Sequence, residues 1–157
     1  MTGESKKLIA KNKRAYFDYI LMDRIEVGIE LTGTEVKSIR LGKVSLSDSY
    51  VTIEYHPITK RAEAFLNNMN IAKYSYGTYS NHEELRKRKL LLKRKEIEEM
   101  ENGLSVKGLA VVPTSIYFLH SWIKLELAYG KGKKLHDKRE AIEEKESKKR
   151  IRSGNYE

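Results

Sequence analysis

The chain contains no cysteine, which excludes disulfide frameworks, thiolate zinc sites and cysteine nucleophiles together. Its four histidines, His56, His82, His120 and His136, are too scattered for metal-ligand spacing, so neither metal nor cofactor is expected. Long hydrophobic runs are missing as well. The stretch Leu109 to Val112 is far shorter than the roughly 20 apolar residues that span a bilayer. Met1 to Arg14 is polar and basic apart from Leu8, Ile9 and Ala10, unlike the hydrophobic region of a signal peptide. A soluble, cytoplasmic protein is the expectation.

Catalytic signatures are also lacking. Gly130-Lys131-Gly132-Lys133-Lys134 invites comparison with a phosphate-cradling loop. It lacks the four residues between glycines and the Ser or Thr after lysine that such a loop needs. There is no serine elbow and no metal-ligating histidine pair, so the protein is not expected to be an enzyme.

What the sequence does contain is positive charge. A formal net charge of +9 on 157 residues points to one domain with a polyanionic partner. Two basic clusters dominate, Arg86 to Lys95 and Lys131 to Arg139. Such clusters neutralise phosphates and release condensed counterions; a solvated charged face is the plainer reading of either one alone. The second cluster adds flexible glycines and His136, a ring able to stack on an unpaired base.

Periodicity sets the expected architecture. Tyr16 to Leu31 reads as two short strands around Asp23-Arg24. Thr32 stands three residues before Glu35, the spacing of a capping box, and predicts a helix from Thr34 to Leu41 that Gly42 ends. Ser49 to Tyr55 and Glu63 to Asn67 read as a hairpin with an extended loop at His56 to Lys60. Asn68 to Asn81, with Tyr74, Tyr76 and Tyr79, reads as loop or irregular strand. Leu90-Leu91-Leu92 is strand-like and leads into a helix with Ile97, Met100 and Leu104 on one face, stopped by Gly103. Gly108 to Val112, Ser115 to Leu119 and Trp122 to Tyr129 read as successive strands. These elements predict a mainly β fold, a small antiparallel barrel of the oligonucleotide-binding (OB) type with two or three short helices. The expected divisions are a flexible basic N-terminus (1–11), the barrel (12–130) and a basic C-terminal tail (131–157). Residues 130–157 hold ten Lys or Arg and six Asp or Glu. Helix propensity is good from Asp137 to Arg152, but ion pairs four apart contribute only about 0.2–0.5 kcal/mol each. A tail disordered when free, folding on a partner, is expected.

Several segments, in order, carry a resemblance. They are Asn12-Lys13-Arg14-Ala15, Glu26 through Ser38 (EVGIELTGTEVKS), Asp48-Ser49-Tyr50-Val51, Arg88-Lys89-Leu90-Leu91-Leu92, and Gly132-Lys133-Lys134 with Asp137-Lys138-Arg139. Together they resemble the small protein B (SmpB) family, the SsrA or transfer-messenger RNA (tmRNA) binding proteins. The resemblance implies a barrel that grips the tRNA-like domain of tmRNA. It also implies a tail that enters the decoding centre and empty messenger channel of a stalled 70S ribosome, and elongation factor Tu with alanyl-tmRNA as a further partner. Carried over by position, it implies RNA-binding roles for Asn12, Glu26, Leu91 and Lys124, to which the first basic cluster adds Arg86, Arg88 and Lys89. Lys131, Gly132, Lys133, Lys134, His136, Asp137, Lys138 and Arg139 match the motif linked to ribosomal acceptance, with His136 stacking on a decoding-centre base. Without the resemblance, Glu26 reads only as a turn or salt-bridge residue. The sequence departs from the family at His56 to Arg61, where relatives have a tighter turn. Two other readings fit the charge: a structural ribosomal protein, and a general single-strand binder using the tyrosines of the 74–79 stretch.

Overall fold

The computed structural model describes residues 6–77 and 81–134, together with Arg139, Ile142, Glu143 and Glu146. In chain order the described elements are β1 (Lys6–Lys11), α1 (Lys13–Asp18), β2 (Tyr19–Ile29), α2 (Gly33–Arg40), β3 (Val44–Ser45), β4 (Tyr50–Tyr55), β5 (Ala62–Asn67), β6 (Asn70–Ile71), β7 (Arg88–Leu91), α3 (Arg94–Leu104), β8 (Leu109–Leu119) and β9 (Trp122–Gly132). Seven strands form one antiparallel sheet in the order β1-β8-β9-β2-β7-β5-β4, and β3 pairs with β6 separately. The sheet curls until β4 meets β8. The result is the mainly β, OB-type barrel expected from the strand spacing. No helix among the described residues is long and apolar enough to cross a membrane.

Alternation along the strands fills the barrel. On β9, Leu125 and Leu127 are fully buried while Trp122, Lys124 and Glu126 point outward. The inward side chains meet Val27, Leu66, Leu90 and Ile116, and Met100 of α3 packs against the same core. Helix α2 starts as its sequence predicts: the Thr32 backbone N–H donates to Glu35 Oε1 at 2.8 Å. Gly42, at φ 75°, follows it in the left-handed region that glycine enters at least cost.

Five features differ from the sequence reading. Residues 6–11 are strand β1, paired along β8; an edge strand needs only one partner and a short apolar face, and flanking lysines are common on such edges. Tyr16 to Leu31 is not two strands but the end of α1 and one long strand, β2, whose register shifts between Leu21 and Arg24. Likewise Gly108 to Leu119 is mostly the single strand β8. Pro113 sits at its irregularity, where a missing N–H costs the ladder little. Gly103 lies inside α3 rather than stopping it. A Cβ there would come within 2.4 Å of the Tyr129 ring, so the glycine permits close helix-to-sheet packing. Finally, the boundary expected after Gly130 falls within β9: Lys131 and Gly132 pair with Ile20 and Tyr19.

Candidate nucleic-acid interface

Three of the residues singled out in the sequence come together on the outer face of the sheet. Register places Lys124 of β9 beside Gly28 of β2, and Gly28 beside Leu91 of β7. Glu26 lies two residues before Gly28 on the same face, since side chains alternate along a strand. Gly28 matters by its size: a Cβ there would sit 3.3 Å from Leu91 Cδ1, so glycine lets the Leu91 side chain lie over β2, and the two form a floor beside Lys124. A groove of about 1090 Å3 runs over this floor, walled by His56 and Arg61 of the β4–β5 loop and by Lys93 and Arg94 at the start of α3.

The polar groups of the groove are held in place. Glu26 accepts a hydrogen bond from the Tyr117 hydroxyl, and Lys6 Nζ lies 3.6 Å from the same carboxylate. Burial, and then the neighbouring carboxylate, push the Tyr117 hydroxyl above its ordinary pKa, so it remains a donor. Lys89 lines the groove but pairs with Glu63 at 2.7 Å. Lys124 has no ion-pair partner among the described residues. Like Arg61, Lys93 and Arg94 of the groove walls, it can meet a phosphate without first giving up a carboxylate.

Arg88 and Asn12, expected to touch RNA, lie in the interior instead. Arg88 is 0% exposed. Its Nε donates to Glu35 Oε2 at 2.6 Å, and its remaining nitrogens donate to the carbonyls of Met69, Glu83 and Glu84. Arg86 is half-exposed and completes this network, donating to both Glu35 oxygens at 3.2 and 2.8 Å. Asn12 is 3% exposed. Its amide donates to the carbonyls of Leu46 and Pro113, and its Oδ1 accepts from the Ala15 N–H, so it starts α1 and ties it to β8. A buried polar side chain with its bonding satisfied inside the protein has nothing left to offer a ligand. These residues shape the surface from behind.

The root of the tail is structured. Lys131 and Gly132 end β9; the Lys133 N–H donates to the Asp18 carbonyl at 2.9 Å and its Nζ to the Tyr16 carbonyl at 3.2 Å. Lys134 is exposed, and Arg139 is exposed and helical. His136, Asp137 and Lys138 lie outside the described residues, as does Tyr79. Sequence reasoning passed over Tyr117, Lys6 and Gly28, whose roles come from strand register. The alternation of β8 hinted that Tyr117 faces away from Ile116, but not that it meets Glu26.

An OB-type barrel whose outer face combines free and paired cations, a positioned carboxylate and exposed apolar side chains defines a class, the small β-barrel RNA-binding proteins. The family described as SmpB protein matches residues 9–155, and the chain belongs to that family. It is 43% identical to the SsrA-binding protein of Syntrophobacter fumaroxidans over 96% of this chain and 89% of that one. It is 46% identical to the SsrA-binding protein of Bifidobacterium longum over 94% and 89%. Among solved structures, a chain described under "tmRNA-SmpB: a journey to the center of the bacterial ribosome" matches with a TM-score of 0.67 and 40% identity, covering 85% of this chain and 93% of that one.

Proposed function

We propose that this protein is a non-catalytic, cytoplasmic partner of tmRNA in ribosome rescue. Its groove holds the tRNA-like domain, and its tail occupies the decoding centre and empty messenger channel of a stalled 70S ribosome. Elongation factor Tu carrying alanyl-tmRNA joins the same delivery complex. The observation that carries this reading is the convergence of Glu26, Leu91 and Lys124, from three different strands, on one groove. Each offers what a folded RNA loop requires: Lys124 neutralises a phosphate, Leu91 packs against a base or ribose, and the Glu26 carboxylate accepts from exposed base edges. Lys89 adds charge where an incoming phosphate displaces Glu63. The segment from Lys131 to Arg139 begins at the far end of β9, about 23 Å of strand away from Lys124. One strand therefore links the RNA grip to the root of the ribosome-directed segment, which also includes Gly132, Lys133, Lys134, His136, Asp137 and Lys138.

Competition binding tests this reading. Labelled tRNA-like domain of tmRNA is held against excess ordinary tRNA at low and near-physiological salt. Binding that survives the competitor at the higher salt is expected; loss to ordinary tRNA would leave only a generic basic surface.

A further inference from the structure

The outer face does not stop at the groove. Across the barrel from Leu91, a continuous row of register partners runs through Gly28 and Lys124 to Tyr117 on β8 and Leu8 on β1. One residue pair further along, β9 begins with Trp122, opposite Leu119, which in turn lies opposite Lys6. The indole is 71% exposed, and Leu8 and Leu91 are 60% and 51% exposed. Trp122 is the chain's single tryptophan. It follows directly on the two-residue turn at His120 and Ser121, with His120 at φ 56°, so a tight hairpin presents it.

Scattered apolar residues are ordinary on protein surfaces. This one differs in its neighbours. Lys124 stands two residues along β9 on the same face, about 7 Å away, and beyond it Lys6 Nζ lies 5.1 Å from the Tyr117 ring centre and 3.6 Å from the Glu26 carboxylate. An exposed ring beside a cation without a carboxylate partner complements one chemistry above others: an unpaired nucleobase whose neighbouring phosphate meets Lys124. An apolar protein partner would gain from the indole but leave Lys124 unanswered.

We infer that Trp122 is a base-stacking platform that extends the RNA-binding surface from the groove over the β8–β9 hairpin, with Lys124 holding the neighbouring phosphate. The inference rests on the RNA reading above and adds to it a specific ring and a specific mode of contact. It takes an unpaired base and refuses a base sealed within a duplex.

Because the chain has one tryptophan, its emission reports this site alone. The full chain is titrated with the tRNA-like domain of tmRNA, and in parallel with a blunt RNA duplex, following tryptophan fluorescence while labelled-RNA anisotropy records binding independently. With the tRNA-like domain, quenching should track the anisotropy curve; with the duplex, emission should stay unchanged. Trp122→Ala should weaken binding of the tRNA-like domain about tenfold, roughly 1.4 kcal/mol, and Trp122→Phe should recover most of it. Since the side chain is largely exposed, both variants should melt like the parent. Binding of the domain with unchanged emission, equal quenching by the duplex, or an alanine variant of parental affinity would each overturn the stacking role while leaving the groove reading intact. Anisotropy showing no preference for the tRNA-like domain over the duplex overturns both.

Discussion

At the scale of single residues, the strongest constraint lies behind the surface rather than on it. Glu35 is fully buried between Arg86 and Arg88. Burial alone pushes its pKa up, yet hydrogen bonds from Arg86, the Thr32 N–H and Arg88 outweigh this and hold the carboxyl at about 2 against an ordinary 4.5. Because the folded value is the lower one, the contribution is present above about pH 4.5 and is lost as pH falls toward 2. A difference of that size corresponds to about 3 kcal/mol. Glu35→Gln leaves Arg88 buried without its counter-charge and should lower stability by about 3–5 kcal/mol. Denaturant unfolding measures this, and the variant's stability should also fall less steeply between pH 4.5 and 2. Gly103→Ala drives a methyl against the Tyr129 ring and should cost about 1–3 kcal/mol, read as a lower thermal midpoint. For His136, which lies outside the described residues, alanine should impair tagging on ribosomes and leave tmRNA affinity unchanged. A tenfold loss of affinity would place its ring on the RNA instead.

At the scale of elements, β9 joins what composition separates. The change in sequence character after Tyr129 suggests that removing everything from residue 131 spares the fold and most RNA affinity while abolishing peptide tagging. Register says otherwise, since Lys131 and Gly132 complete the ladder to β2 and Lys133 bonds to Asp18. Truncation after Gly130 should therefore lower stability and weaken RNA binding. Truncation after Lys134 should preserve both while abolishing peptide tagging. Comparing the melting of the two truncated chains with their affinity for the tRNA-like domain separates these outcomes; equal melting would show that the last ladder pairs are dispensable. Strand β1 follows the same logic, since among the described residues it pairs with β8 alone and its Lys6 reaches Glu26.

At the scale of the whole molecule, a net charge of +9 does not act as an even coat. Lys87 and Lys89 are tied to Glu54 and Glu63, and Arg88 is sealed in the interior. The basic cluster from Arg86 to Lys95 is thus partly spent within the protein before any RNA arrives. The salt dependence of binding should accordingly reflect fewer phosphate contacts than the count of lysines and arginines suggests. The log-log slope is about −0.9 per neutralised duplex phosphate, and Lys124→Ala should make it shallower by about one contact. Binding isotherms over a range of salt concentrations test this. A slope unchanged by the substitution would remove Lys124 from the phosphate contacts.

Much of the protein was legible in its sequence because the relevant physics is local. Alternation along residues 122–129, the Thr32 to Glu35 capping pattern and the turn at Gly42 act over a few residues, and they foretold a strand, a helix and its end. The family resemblance likewise singled out Glu26, Leu91 and Lys124, which the strands bring to one groove. Other features depended on partners distant in the chain, and only the tertiary structure decided them. Whether Arg88 and Asn12 face RNA or the core, why Gly28 and Gly103 lack a side chain, and that residues 6–11 form a strand all follow from which strand lies next to which. A positive charge looks the same in a sequence wherever it points; burial and pairing decide whether it binds a phosphate or holds the barrel together.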